Sequence, residues 1–454
     1  MKKKMKKILN ISLLTLVALS ALSLSSCKNE IDNIFDEDAV TRLDKAKAEY
    51  SDILTDKGGK WQLEYFANSN EQGYIYLMTF SKDGSVTISG NNKWINYIQS
   101  GSMNTPAYGS AVSMWEVIAD NGPVLTFNTY NKYFHLFADP YDIPSVGGAS
   151  SDDDINENGY GHEGDYEFDI MKYSGDTLYL TGKKYNLNMI MTRVASSVDD
   201  EIYMNEVVAM ADSFFNSKVP HVYINLPNGV RWIVKNGATS ILKMFREDAD
   251  EISTAEEHNV IITHDGLSFM DPLTIDGYTI QNFIRQADGS LLCRDDMQTT
   301  MTADPLAIVF SNIDLMWRSP LSDVGGRYAD LVAQITQELK AYNKSTLQYA
   351  QIEYDRDAKV YLFSFNIKKG SVKYNPTYYV TMTDVSDTHL KMNVAAEGDK
   401  MGQTYAEKCP SVRALVDALA AGTLDLSANS LLAPVNMTTA ESGNHNNYIV
   451  WNLQ

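Results

Sequence analysis

A β-rich α+β fold is predicted, built as two tandem antiparallel meander modules. Each is a lipocalin-like barrel or half-barrel preceded by an amphipathic helix, with further helices in the C-terminal half. Three observations carry this. From Trp61 onward, apolar and polar residues alternate in short runs, the period of a half-buried strand. Between the runs fall Asp83-Gly84, Asn228-Gly229, Asp276-Gly277 and Asp288-Gly289, pairs that tolerate the left-handed conformations of tight hairpin turns. The order helix-then-strands occurs twice, as a repeat of organisation with low residue identity between the halves.

The front of the chain sets its expected address. Lys2, Lys3, Lys4, Lys6 and Lys7 precede an apolar run from Ile8 to Leu22, too short for a permanent transmembrane helix and patterned like a secretory signal over residues 1–26. Leu24-Ser25-Ser26-Cys27 resembles the bacterial lipobox, which implies a lipid on the Cys27 thiol and a membrane partner reached through that anchor. Residues 27–37, with Glu30, Asp32, Asp36 and Glu37, read as an acidic tether. Loss of residues 1–26, which hold five lysines and no acid, takes the formal charge from −20 to −25. That field repels phosphate backbones, so nucleic-acid partners are not expected.

Two larger units follow, 38–195 and 196–454, a division that suits the 454-residue length. Val40, Leu43, Lys47, Tyr50 and Leu54 recur at helical spacing until Gly58-Gly59 stops them. Trp61, Leu63 and Tyr65 then alternate with Gln62 and Glu64. Further strands are read at Tyr74 to Phe80, Val86 to Ile88, Met114 to Ile118, Val124 to Tyr130, Tyr133 to Phe137, Tyr166 to Tyr173, Thr177 to Thr181 and Leu187 to Arg193. A meander of that many strands curls or closes to remove its edges. Ser197 and Asp200 read as a capping box for a second helix with the stripe Ile202, Val208, Ala211 and Phe215. Strands resume from Val222 to Cys293. Helices are predicted through Tyr328, Leu331, Ile335 and Leu339, and from Pro410 with Val412, Leu415, Val416 and Leu419. Residues 325–454 are expected to complete the second module, since their strands are few for an independent sheet. Cys293 and Cys409 are the cysteines beyond Cys27, and spacing leaves their pairing open.

The lipobox together with Gly59-Lys60-Trp61-Gln62-Leu63-Glu64-Tyr65-Phe66, Gly122 to Asn131, Gly164-Asp165-Tyr166-Glu167-Phe168 and Gly266-Leu267-Ser268-Phe269 resembles a Bacteroidota surface lipoprotein family defined only as a domain of unknown function. The resemblance spans essentially the whole mature chain. It implies an outer-membrane, outward-facing lipoprotein beside starch-utilisation-type importer components or secreted zinc hydrolases, and it brings no catalytic residues.

Candidate sites come from short constellations. Asp154, Asn156 and Asn158, with Gly159 and then Asp165 at the twelfth position, approximate a calcium loop, because alternate oxygens of a tight turn converge on one cation. Asp at the final position and the lack of flanking helices leave a plain acidic loop as the competing reading. Trp94, Tyr97, Tyr108 and Trp115 surround a Gly/Ser/Asn-rich insertion, Gly101 to Gly109, and would suit the apolar face of a sugar if exposed, with rings packed under a loop at a barrel mouth as the competing reading. His258 and His264, six apart and followed by Asp265, would share a face of an unbroken strand. Zinc needs a third ligand, and no His-Glu-x-x-His occurs. His135 is read as a hydrogen-bonded wall residue of the barrel. With no nucleophile elbow or phosphate loop, the expected function is non-catalytic capture of a glycan or peptide ligand; a calcium- or zinc-dependent hydrolase, or a structural partner of one, is the alternative.

Overall fold

The computed structural model describes residues 37–139, 142–144, 162–215, 218–236 and 241–454. Helix α1 (Ala39–Thr55) opens it, its first turn capped by the Asp38 carboxylate, which accepts from Thr41 N at 2.7 Å. Gly58 and Gly59 then take φ of 89° and 65°, conformations that suit glycine, and turn the chain into the first sheet.

That sheet comprises β1 (Lys60–Tyr65), β2 (Tyr74–Phe80), β3 (Ser85–Asn92), β4 (Ala107–Met114), β5 (Glu116–Ala119), β6 (Pro123–Thr126), β7 (Glu167–Ser174), β8 (Thr177–Gly182) and β9 (Asn188–Arg193), ordered β4-β3-β2-β1-β9-β8-β7-β6-β5. Its two edges, β4 and β5, are joined by a single residue, Trp115, so the meander must roll back on itself. The interior is filled. Tyr65 meets Tyr76, Phe134, Phe137 and Phe168 at centroid distances of 5.3–6.4 Å, mostly edge-on or tilted, as ring quadrupoles favour. Helix α2 (Lys93–Ser100) plugs one end. Gly90 and Gly109 pair across β3 and β4, and a Cβ on either would come within 2.8 Å of Ile95, so this close approach requires glycine. A hollow, lipocalin-like ligand cavity is therefore not what this barrel offers.

The second sheet repeats the wiring strand for strand. It holds β10 (Val222–Asn225), β11 (Arg231–Asn236), β12 (Leu242–Arg246), β13 (Glu256–His258), β14 (Val260–Thr263), β15 (Gly266–Ile275), β16 (Tyr278–Arg285), β17 (Leu291–Cys293) and β18 (Thr300–Ala303). The order is β13-β12-β11-β10-β18-β17-β16-β15-β14, and its edges β13 and β14 are again one residue apart, at Asn259. Helix α3 (Asp200–Phe215) leads into it. Asp199, rather than Ser197, caps that helix by accepting from Ile202 N at 3.0 Å. The buried stripe is Tyr203, Met204, Val207, Met210 and Phe214, about one position off the predicted one, while Ile202 is 62% exposed. The helix is turned so because it packs on both sheets at once.

Residues 325–454, expected to complete the second module, instead pair among themselves and with Trp317–Ser319. Trp317–Ser319 bonds to both Thr346–Asp355 and Asn444–Leu453, and Thr346–Asp355 to Val360–Lys369, which closes a ring of eight strands within a third nine-stranded ladder. Many strands pairing locally satisfy their own backbone groups, so the few-strand objection fails. Apolar burial nevertheless runs unbroken from Met210 to Trp451, so the second and third ladders share one core while the first keeps its own. The β-rich class, the curled antiparallel sheets, the predicted turns and the helices Gly326–Asn343 and Pro410–Ala420 are all present. Cys293 and Cys409 are buried free thiols. Among the described residues no helix is long and apolar enough to cross a membrane.

Candidate functional site

Strand β1 is buried along all six residues, although pleating sends only Trp61, Leu63 and Tyr65 into the first core. Gln62 and Glu64 face the other way. What covers them is α3 and the second sheet, docked through Phe66, Ile75, Leu77, Tyr203, Met204, Val207 and Ile261. The docking is also polar: Lys60 Nζ reaches Asp200 Oδ1 at 2.7 Å, and Gly73 N donates to Val260 O at 2.8 Å.

Between the two sheets, beside these contacts, lies a cleft of about 540 Å³. Gln62 and Glu64 line one wall, His264, Asp265 and Arg294 the other, and Tyr203 of α3 stands at the junction. The Tyr203 hydroxyl donates to Gln62 Oε1, and Gln62 Nε2 lies 3.4 Å from Glu64 Oε1, the one hydrogen bond the Glu64 carboxyl makes among the described residues. Asp265 accepts from Thr263 Oγ1 at 2.9 Å and from Arg294 at 3.4 Å. The His264 ring lies tilted against Tyr203 at a centroid distance of 4.3 Å, with its buried Nδ1 3.6 Å from Asp265 Oδ1 and without a hydrogen-bond partner among the described residues.

Burial pushes the Glu64 carboxyl up to about 7, and the Asp265 charge adds to this, while the Gln62 amide and Arg294 pull against it. Burial also raises the Tyr203 phenol, helped by Asp265, Glu64 and Glu206. A carboxyl that changes charge near neutrality, in a cleft with a guanidinium, an imidazole and amides, is chemically equipped to bind a polar ligand.

The residues singled out by sequence fall elsewhere for the most part. His264 and Asp265 do line the cleft. His258 does not, because β13 and β14 lie at opposite edges of the ladder and the turn at Asn259 breaks the six-residue spacing; it packs on Phe269 instead. Among the described residues no group of three His, Cys, Asp or Glu side chains is arranged to hold a metal ion. Cys27, Asp154, Asn156 and Asn158 lie outside the described residues. Asp165, the last member of the calcium reading, has its two oxygens taken by Lys184 N and Tyr185 N at 2.9 and 3.0 Å. It fixes the turn between β8 and β9. Asp165→Asn is accordingly expected to cost about 1–3 kcal/mol by losing one charge-assisted bond, with the same loss in calcium and in chelator when followed by thermal melting.

The four aromatic candidates are packed rather than presented. Trp94 is 1% exposed and donates Nε1 to Tyr74 OH at 2.7 Å; Trp115 is 7% exposed and donates to Ser85 O at 3.1 Å. Tyr97 and Tyr108 are half-buried against different clusters. The insertion does border a cavity of about 320 Å³, but through Met103, Asn104, Thr105 and Pro106. His135 sits on a short 3-10 turn, not a strand: its Nδ1 accepts from Asn131 N at 3.0 Å and its Nε2 meets Phe127 O at 2.9 Å, so both nitrogens are spent on backbone. Sequence periodicity missed Gln62, Glu64 and Tyr203 as site residues, because alternation assigns the first two to solvent and nothing in it announces the sheet that covers them.

Comparison with known proteins gives a family. The model described as "Domain of unknown function (DUF4302)" matches residues 31–287, which spans the first sheet and most of the second. No curated protein matches the chain. Among solved structures, the DNA polymerase sliding clamp from Caulobacter crescentus is similar at 7% identity, over 91% of this chain and 97% of that one, with a TM-score of 0.14, too low to carry an argument.

Proposed function

Since this chain belongs to the DUF4302 family, whose description names no activity, we propose from its own residues that it is a lipid-anchored, outward-facing outer-membrane protein that captures a polar nutrient ligand, a glycan or a peptide, without transforming it. The observation that carries the binding reading is the cleft between the first two sheets, with Glu64, Asp265, His264 and Arg294 converging on one space of about 540 Å³. Ligands commonly lie between domains because two walls supply more convergent groups than one. The anchor rests on Leu24-Ser25-Ser26-Cys27 and the lysine-rich apolar run before it. A place beside Bacteroidota importer components follows from the lipoprotein resemblance. The acidic field of the mature chain keeps such a protein dispersed at a crowded surface.

Two measurements test this. Fatty-acid labelling should mark the wild-type chain and not Cys27→Ser; equal labelling, or membrane retention of the Ser variant, would remove the anchor. On glycan and peptide arrays the full chain should show a hit that Asp265→Ala weakens by about tenfold, a loss of about 1.4 kcal/mol. Arrays silent for both classes would remove the capture role. A hydrolytic alternative draws on one observation, the Glu64 carboxyl poised near 7 across the cleft from Asp265. Turnover of an array hit, abolished by Glu64→Gln, would favour it.

A further inference from the structure

We propose that the cleft engages its ligand through a primary ammonium group, seated between the Glu64 and Asp265 carboxyls and against the adjoining rings of Tyr203 and His264. This rests on the binding role of the cleft proposed above and names the chemistry it selects.

The charge inventory around Glu64 decides the sign of the ligand. Around Glu64 the cleft is lined from the same sheet by Arg193 on β9; from α3 by Tyr203, which Glu206 faces in turn; from the turn after β14 by His264 and Asp265; and from the segment after β17 by Arg294. Arg193 is already spent. Its Nε meets Asp176 at 3.1 Å, its terminal nitrogens donate to Asp56 O and Ile53 O at 2.8 and 2.9 Å, and its plane lies 4.1 Å over Trp61. Arg294 is balanced by Asp265. Once Glu64 ionises, the wall carries an uncompensated negative charge, so an incoming anion meets repulsion and an incoming cation meets a receptor.

Glu64 itself is the group aimed at that cation. It is 9% exposed, it lines the cleft, and among the described residues the one hydrogen bond of its carboxyl is the long one from Gln62. A buried carboxyl with unfilled acceptor positions is costly unless something fills them. An ammonium brings three donors and a charge. The Tyr203 and His264 rings, 4.3 Å apart, offer the π face that such a cation also favours. The same groups would serve a lysine side chain of a peptide or an unacetylated amino sugar of a glycan, and the two sources are separable by experiment.

Seating the cation draws the proton from Glu64 and releases it to solvent, so affinity should rise with pH through the neutral range. The test is isothermal titration of the full chain with two matched pairs: Nα-acetyl-lysine methylamide against its Nε-acetyl form, and a glucosamine trimer against the N-acetylglucosamine trimer. The free-amine member of one pair should bind at least tenfold more tightly than its acetylated partner, and the pair that responds identifies the source. For a lysine probe, which stays charged throughout, affinity should increase about tenfold from pH 6 to pH 8, with nearly one proton released per site at pH 6 and almost none at pH 8. Glu64→Gln should abolish that increase, and Asp265→Asn should weaken binding at both pH values. Equal binding of the two members in both pairs, or binding that weakens with rising pH, overturns the ammonium assignment while leaving the cleft a binding site. Silence of all four probes overturns the assignment too. The array hits above then decide independently whether the cleft binds anything at all.

Discussion

Glu64→Gln is expected to raise the unfolding free energy by about 3 kcal/mol at about pH 8 while leaving it unchanged at about pH 4. The native carboxyl titrates at about 7 against an ordinary value of 4.5, so the folded state holds the proton more tightly than the unfolded chain does. Below the ordinary value both states are protonated, and the favourable contribution of the neutral, buried acid is present in full. As pH rises between these two values the unfolded chain ionises first, and that contribution is lost. Above about 7 the wild type carries a buried carboxylate that glutamine, with nearly the same shape, never acquires. Other groups move with pH as well: burial lowers the His135 and His258 imidazoles, which erodes stability as pH falls. They are common to both proteins and cancel in the difference. Urea unfolding of the pair across that range is the measurement, and a difference that stays flat with pH would mean that the cleft is wet enough to leave Glu64 an ordinary acid.

The residue at the centre of that prediction shows where sequence reading stops. Local signals were legible because their physics is local: Gly84, Gly229, Gly277 and Gly289 have positive φ in the turns where Asp-Gly and Asn-Gly placed them, and Pro410 opens a helix whose buried face is Val412, Leu415, Val416 and Leu419. Alternation correctly set Trp61, Leu63 and Tyr65 against Gln62 and Glu64. It could not say that a second sheet would close over the polar side, and the candidate site exists only because it does. The same blindness displaced the stripe of α3, since a helix packed between two sheets answers to both. Tyr133 to Phe137 read as a strand because five largely aromatic residues imitate one; in the fold Asn131 bonds back to Tyr133 and His135 and winds them into a turn. The third ladder was invisible for a related reason. Periodicity finds strands but not their partners, and a three-residue strand such as Trp317–Ser319 gives it almost nothing to count.

The largest single loss is expected at a buried pair that no local pattern marks. Glu71 and His162 are 2% and 0% exposed and stand 91 residues apart in sequence, with the His162 Nδ1 2.6 Å from Glu71 Oε1. The carboxyl also accepts from Asn68 Nδ2 and Tyr74 OH, each at 2.9 Å, and Trp94 Nε1 donates to the same tyrosine oxygen. On the far side of the imidazole, Nε2 lies 2.6 Å from Pro144 O. A carbonyl has no hydrogen to give, so Nε2 must donate, and one further proton is held between Nδ1 and the carboxyl. Among the described residues each group is satisfied by the others. Replacing His162 by Leu strips a buried carboxyl of its closest hydrogen-bond partner and strands a carbonyl, which should cost about 3–5 kcal/mol in urea unfolding of the first sheet. The diagnostic comparison is the double variant Glu71→Leu, His162→Leu: with both polar groups gone it should recover part of that loss, since an apolar pair leaves neither side chain buried without its partner. If His162→Leu costs less than about 1 kcal/mol, or the double variant is worse than the sum of the singles, the pair is not holding the end of the barrel. The main-chain carbonyl of Glu71 accepts from Asn259 Nδ2 at 2.8 Å, between the edges of the second sheet. Loosening this end of the first barrel should therefore also loosen the docking that builds the cleft, and ligand affinity measured on His162→Leu should fall even though the side chain is not among those lining it.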